Sequence, residues 1–141
     1  MTMTETALLS MVERFLFDAL DGERAAAELG AAVRRINDGL LEVESTSPPV
    51  ARARLEELNG EVVGIVLWFA PPMTITVDAW CARFGPATRE PPRPEVFHEI
   101  DRRFSIERDA NKGFIVATTP RMVDGTSWPV TQLVVRRRRG L

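Results

Sequence analysis

Leu8, Met11, Val12, Phe15, Leu16 and Ala19 recur at three- and four-residue steps, the spacing of one helical face, and Thr2 with Glu5 forms a capping box ahead of them. This pattern predicts a first helix over about residues 3–20. Asp21 and Gly22 interrupt it, after which Ala25, Leu29, Ala32, Val33 and Ile36 mark a second amphipathic helix that stops at Asn37, Asp38 and Gly39. Residues 1–39 therefore read as a helical hairpin. A single helix running through Gly22 is the alternative, because one glycine costs only about 1 kcal/mol relative to alanine.

Beyond Leu40 the period changes. Leu41 and Val43 suggest a short strand, and Ser45, Thr46, Ser47, Pro48 and Pro49 a turn. Residues 50–58 fit a helix capped by Ser47, or a strand in which Ala51, Ala53 and Leu55 alternate with Arg52, Arg54 and Glu56. Asn59-Gly60, directly ahead of the apolar run Val62 to Ala70, is a strong hairpin signal and favours the strand. A two-residue turn sets Leu58 opposite Glu61, Leu55 opposite Gly64 and Ala51 opposite Trp68. Val63, Ile65, Leu67 and Phe69 then make the second apolar face of the following strand, which needs cover from its own chain or from a partner. Pro71 and Pro72 are expected to end that strand.

Thr76 opens a short helix near 76–84 with Val77, Trp80, Cys81 and Phe84 on one face, stopped by Gly85 and Pro86. The proline-rich stretch Gly85 to Glu95 reads as an extended loop without a hydrogen-bond ladder. In residues 97–107, His98, Ile100, Arg102, Phe104 and Ile106 alternate with Glu99, Asp101, Arg103, Ser105 and Glu107, a half-exposed strand. A turn over Asp109 to Gly113, then strands over Phe114 to Thr119 and Val130 to Arg137, complete an antiparallel meander. The fold class is α+β: an N-terminal helical pair packed on an antiparallel sheet of about five to six strands, with one short inserted helix, in a single domain spanning residues 1–141.

Composition narrows the function. With 141 residues, 45% of them hydrophobic, 27% charged and a net charge of -2, the chain suits one globular domain. The run Val62 to Ala70 is about half the length of a membrane span, and the N-terminus lacks the basic start and clean apolar block of a signal peptide, which together place the chain in the cytoplasm without a membrane role. Arginine- and alanine-rich, lysine-poor usage suggests a bacterial source.

The chemistry available is sparse. There is one histidine, His98, one cysteine, Cys81, no tyrosine, and one lysine, Lys112, in a turn-like stretch without paired glycines. Cys81 lies on the apolar helix face, the setting of an inert structural thiol. No glycine-rich nucleotide loop, nucleophile elbow or metal-ligand spacing occurs, so neither catalytic residues, nor a metal, nor a cofactor is assigned. His98 is expected to point away from Glu99 and Asp101 by strand alternation, which disfavours a local acid-base pair.

Charge is unevenly distributed. Residues 1–70 hold six arginines against twelve carboxylates, and residues 71–141 hold twelve basic residues against eight acidic ones. Arg136, Arg137, Arg138 and Arg139 are expected to follow the last strand as a concentrated positive tip. That tip offers a weak, salt-sensitive contact to nucleic acid, although no exposed aromatic platform accompanies it and the acidic first half opposes it.

Surplus apolar surface with little reactive chemistry points to a non-enzymatic protein-binding module or adaptor, homo-oligomeric, that uses the helical pair or the Val63, Ile65, Leu67 and Phe69 face. Small bacterial secretion chaperones and immunity proteins combine helices and a curved sheet in this manner, an analogy of fold alone. The alternative is a small-molecule pocket or weak enzyme between sheet and inserted helix, lined by Trp68, Trp80, Phe84 and Phe104 with His98, Arg102 or Asp78 as polar contacts.

Overall fold

The computed structural model describes residues 2–30, 32–95, 98–108, 111–123 and 125–139. Helix α1 (Glu5–Phe17) is capped by Thr4, whose hydroxyl oxygen accepts from the Ala7 amide at 3.1 Å. The cap is thus Thr4 rather than Thr2. Glu5 instead reaches across the fold, accepting from the Thr76 amide and, at 3.0 Å, from the Thr76 hydroxyl. Helix α2 (Gly22–Leu29) starts under Asp21, whose carboxylate accepts from the Arg24 amide at 2.8 Å.

The second helix is much shorter than its periodicity suggests. It ends at Gly30, and Ala32–Asn37 forms strand β1, which turns at Asp38 and Gly39 into β2 (Leu40–Glu44). Two features redirect the chain. A Cβ on Gly30 would fall 1.8 Å from the Glu44 carbonyl oxygen, so only glycine fits this crossing. Asn37, Asp38 and Gly39 then act as a hairpin turn, with the Asn37 side chain accepting from the Gly39 amide at 2.9 Å, rather than as a helix stop.

The hairpin over β3 (Val50–Leu58) and β4 (Glu61–Thr76) is present, turned by Asn59 and Gly60 with φ of 54° and 80°. Its register differs from the ideal one by two compensating bulges. Leu58 pairs with Glu61 as expected, but an extra residue at Val63 then shifts the pairing, so that Leu55 faces Ile65 and Arg52 faces Trp68. Ala51 is the opposing extra residue that restores the register at Val50 and Phe69. Without the first bulge Leu55 would face Gly64; with it, Leu55 and Ile65 enter the core together. Strand β4 does not stop at Pro71 and Pro72. It separates from its neighbour between Trp68 and Met73, where the prolines have no amide to donate, and resumes pairing up to Thr76.

Helix α3 (Val77–Phe84) ends at Gly85 with φ 85°. Part of the expected proline-rich loop, Ala87–Arg89, is an edge strand, β5, paired with β6 (Glu99–Arg108). Strands β7 (Asn111–Pro120) and β8 (Ser127–Arg139) complete one antiparallel sheet in the order β1-β2-β3-β4-β8-β7-β6-β5. The α+β class holds. Among the described residues the sheet has eight strands rather than five or six, because β1 carries helix-like spacing and β5 lies among prolines. Asn111, Lys112 and Gly113 belong to β7, while Asp109 and Ala110 of the expected turn lie outside the described residues.

The three helices found among the described residues lie against one face of the sheet, α1 and α2 over β2, β3, β4, β7 and β8, and α3 over β4 and β6. The core beneath them joins Leu8, Val12, Phe15 and Leu16 of α1 and Ala25 and Leu29 of α2 to Leu55, Ile65, Leu67, Ile115, Leu133 and Val135. No helix among the described residues is long and apolar enough to cross a membrane.

Candidate functional site

Among the described residues no helix covers the opposite face of the sheet. One register row crosses all eight strands on that face: Arg34, Glu42, Arg54, Val66, Val134, Val116, Arg103 and Thr88, flanked by the edge strands β1 and β5. Its centre is three valines and both of its shoulders are arginine. Val66 is buried but separate from the main core, while Val116 and Val134 are half-buried. Adjacent strands lie about 4.8 Å apart, so the three valines make a continuous apolar strip about 10 Å across.

Two aromatic rings extend the strip diagonally, Trp68 on β4 and Phe114 on β7, both half-buried. The Arg52 and Arg54 guanidinium carbons lie 4.6 and 5.4 Å from the centre of the Trp68 ring system, and those of Arg103 and Arg136 lie 4.1 and 5.6 Å from that of Phe114. Such contacts hold long, charged side chains flat over apolar rings while their donors face outward. Arg136 also grips Glu56 through both carboxylate oxygens at 2.8 and 2.9 Å. The hydrogen bond to Glu56 raises the Arg136 pKa above its ordinary value, opposed by burial and aided by the Glu56 charge, so this guanidinium remains a cation throughout the working pH range. Beside it, a groove of about 1070 Å³ has a lining that includes Val63, Phe114, Arg136 and Arg138 together with the carboxylates Glu61 and Glu107.

The four terminal arginines do not form a tip. They are residues of β8, which sits in the middle of the sheet between β4 and β7, so alternate members point to opposite faces. Arg136 and Arg138 face the open side. Arg137 is buried on the helical side, where it donates to the carbonyls of Phe15 at 2.6 Å, Leu20 at 2.8 Å and Val62 at 3.4 Å. The Arg139 side chain lies outside the described residues.

The face formed by Ile65, Leu67 and Phe69 is filled by the chain's own core, and only Val63 remains half-buried at the groove. The same holds for the apolar surface of the helical pair, including Leu8, Leu9, Met11 and Leu29, which is spent on the sheet. Among the aromatic candidates, Trp80, Phe84 and Phe104 come together with Trp128 as a packed cluster with ring centres 5.6 to 6.4 Å apart. Trp68 lies on the other face. His98 precedes β6, is 82% exposed, and its Nε2 sits 3.3 Å from a Glu99 carboxylate oxygen. The expected separation from Glu99 fails because strand alternation begins only after His98. Asp78 is exposed on α3, and Cys81 is a half-buried free thiol on the same helix.

Arg102 lies under the aromatic cluster with its guanidinium carbon 4.6 Å from the Trp128 ring centre. Its Nε donates to Thr119 Oγ1 at 3.0 Å and an Nη to the Val123 carbonyl, which ties the segment between β7 and β8 to the sheet. Replacing Arg102 with methionine is expected to cost about 2 kcal/mol, because the buried Thr119 hydroxyl and the part-buried Val123 carbonyl each lose a charged donor. The urea midpoint checks this; an unchanged midpoint would mean that the anchor is dispensable.

Sequence reasoning missed Val66, Val116, Val134 and Phe114. The available signal was that Phe114 to Ala117 and Leu133 to Val135 are apolar at every position, the mark of strands with two apolar faces. Among the described residues no three metal-ligating side chains gather. The chain matches no protein family, and no curated protein or solved structure is significantly similar to it.

Proposed function

We propose that this chain is a protein-binding module whose working surface is the uncovered face of its sheet. One observation carries the reading: among the described residues helices cover one side of the eight-stranded sheet, and the other side carries the buried Val66 and the half-buried Val134, Val116, Trp68 and Phe114. An apolar centre inside a polar, arginine-rich rim is the anatomy of a protein interface. Aromatic and arginine side chains are also the residue types that dominate binding energy in such interfaces. The occupant is a segment of another protein, and no bond-making step is assigned to the surface.

The test uses peptides selected from a random twelve-residue phage library on the purified chain and then synthesised. Val134→Arg places a charge at the centre of the strip without touching the helical core, and Met122→Arg serves as a control at the exposed turn between β7 and β8. Binding that falls at least tenfold with Val134→Arg and stays within twofold with Met122→Arg supports the assignment. Binding indifferent to Val134→Arg overturns it. Concentration-dependent dimerisation that Val134→Arg abolishes would replace a foreign partner by a second copy.

A further inference from the structure

Three arginines, Arg34, Arg52 and Arg54, crowd one shoulder of the valine strip, and Glu42 lies among them, 3.2 Å from Arg34 Nη2 and 3.6 Å from Arg52 Nε. Even with Glu44, two residues along β2, the corner keeps a net positive charge. Arg54 stands opposite Glu42 in the register but joins no ion pair and no side-chain hydrogen bond among the described residues. Its Nε is buried without an acceptor. That nitrogen is closed to an incoming group, whereas the two Nη atoms, also without acceptors among the described residues, keep solvent contact and are the donors a partner can reach. The guanidinium is already held beside Trp68, so an incoming acceptor meets an ordered donor.

We infer that Arg52, Arg54 and Trp68 form a receptor for a carboxylate, that of an aspartate or glutamate in an extended partner segment, with a neighbouring apolar side chain of that segment lying on Val66 and Val134. The inference rests on the open face being the binding surface and adds the chemistry of its occupant. A guanidinium fork matches the two oxygens of a carboxylate, and its flat face suits the indole beneath. A nucleic-acid strand fits less well. Glu42, Glu56 and Asp101 are interspersed among the cations of this face, so a continuous line of phosphates would meet carboxylates as it crossed, and the valine strip offers a phosphodiester nothing.

The experiment takes peptides from the same phage library, selected on the wild-type chain and on Arg54→Gln. Wild-type selection should enrich aspartate or glutamate next to an apolar residue. Changing that acid to its amide in the synthetic peptide should weaken binding to the wild type by about tenfold or more, and to Arg54→Gln by little further, the signature of a direct pair. Arg54→Lys, which keeps the charge and loses the fork, should fall between the two. Variants are compared only where their urea midpoints match the wild type; should Arg54→Gln fail that check, Arg52→Gln is read in its place.

Peptides that need Val134 but ignore both the amide change and Arg54→Gln would overturn the carboxylate receptor and leave the binding face standing. Peptides indifferent to Val134→Arg would remove the face itself. A twenty-nucleotide single-stranded DNA that binds more tightly than the acidic peptides and displaces them would overturn the inference in favour of a polyphosphate partner.

Discussion

Arg137→Ala should lower the unfolding free energy by about 4 kcal/mol, because one buried guanidinium holds carbonyls from three separate segments and each loses a charged donor. Phe15 belongs to the last turn of α1, where the carbonyls have no intrahelical partner and the helix dipole favours a cation. Leu20 lies in the link to α2, and Val62 is the second residue of the long β4 strand. The Arg137 guanidinium carbon also sits 4.1 Å from the centre of the Phe15 ring. Removing this one side chain therefore loosens the helical layer from the sheet at their junction. Arg137→Lys should recover only part of the loss, since a single ammonium lacks the fork needed to reach three carbonyls. Urea unfolding monitored by far-ultraviolet circular dichroism measures both variants. A loss below about 1 kcal/mol for Arg137→Ala would show that water replaces the side chain and that the junction does not depend on it.

Trp80→Ala should cost a similar amount, about 3–5 kcal/mol, for a different reason. Trp80 is fully buried, and its ring packs against Phe84 and Phe104 at 5.6 and 6.4 Å between centres. Truncation leaves a cavity between α3 and the sheet that the surrounding rigid strands cannot close. Its indole Nε1 has no hydrogen-bond partner among the described residues, so Trp80→Phe should be far milder, with the smaller ring offset by loss of an unsatisfied donor. Thermal unfolding separates the two substitutions. Equal losses for Ala and Phe would mean that the indole is held by something other than ring packing. Peptide affinity at the open face should be unchanged by Trp80→Phe, since the cluster lies on the opposite side of the sheet.

The sequence was most legible where a single period and a clear turn signal agreed. Leu8 to Leu16 revealed α1, and Asn59-Gly60 revealed the central hairpin. It was least legible where two periods overlap. Ala32, Val33 and Ile36 satisfy a helical spacing, yet the chain leaves the helix at Gly30 because the Glu44 carbonyl crosses there, a constraint that only tertiary structure supplies. The bulge at Val63 that moves Leu55 opposite Ile65, and the one at Ala51 that restores the register, were hidden for the same reason. Burial of one face decides a register, and a one-residue adjustment is preferable to placing leucine over glycine.

The candidate surface was half visible. An apolar strand with two apolar faces was evident in Val62 to Phe69, but which face the helices would take was not written in the strand itself. The helices chose Ile65, Leu67 and Phe69, leaving Val66 and Trp68 outward. The arginine run was misleading because four adjacent like charges look like one patch until they are placed on a strand. Alternation then turns Arg137 into a structural residue and makes Arg136 and Arg138 part of the open face.

The most direct measurement is a nuclear magnetic resonance titration of the isotopically labelled chain with the tightest acidic peptide from the library. Methyl shifts at Val66, Val116 and Val134, together with the Trp68 indole proton, should move on binding while the helical layer stays still. Shifts confined to the outer surfaces of α1 and α2, or to the cluster around Trp80, with the three valines unmoved, would contradict the assignment of the open face.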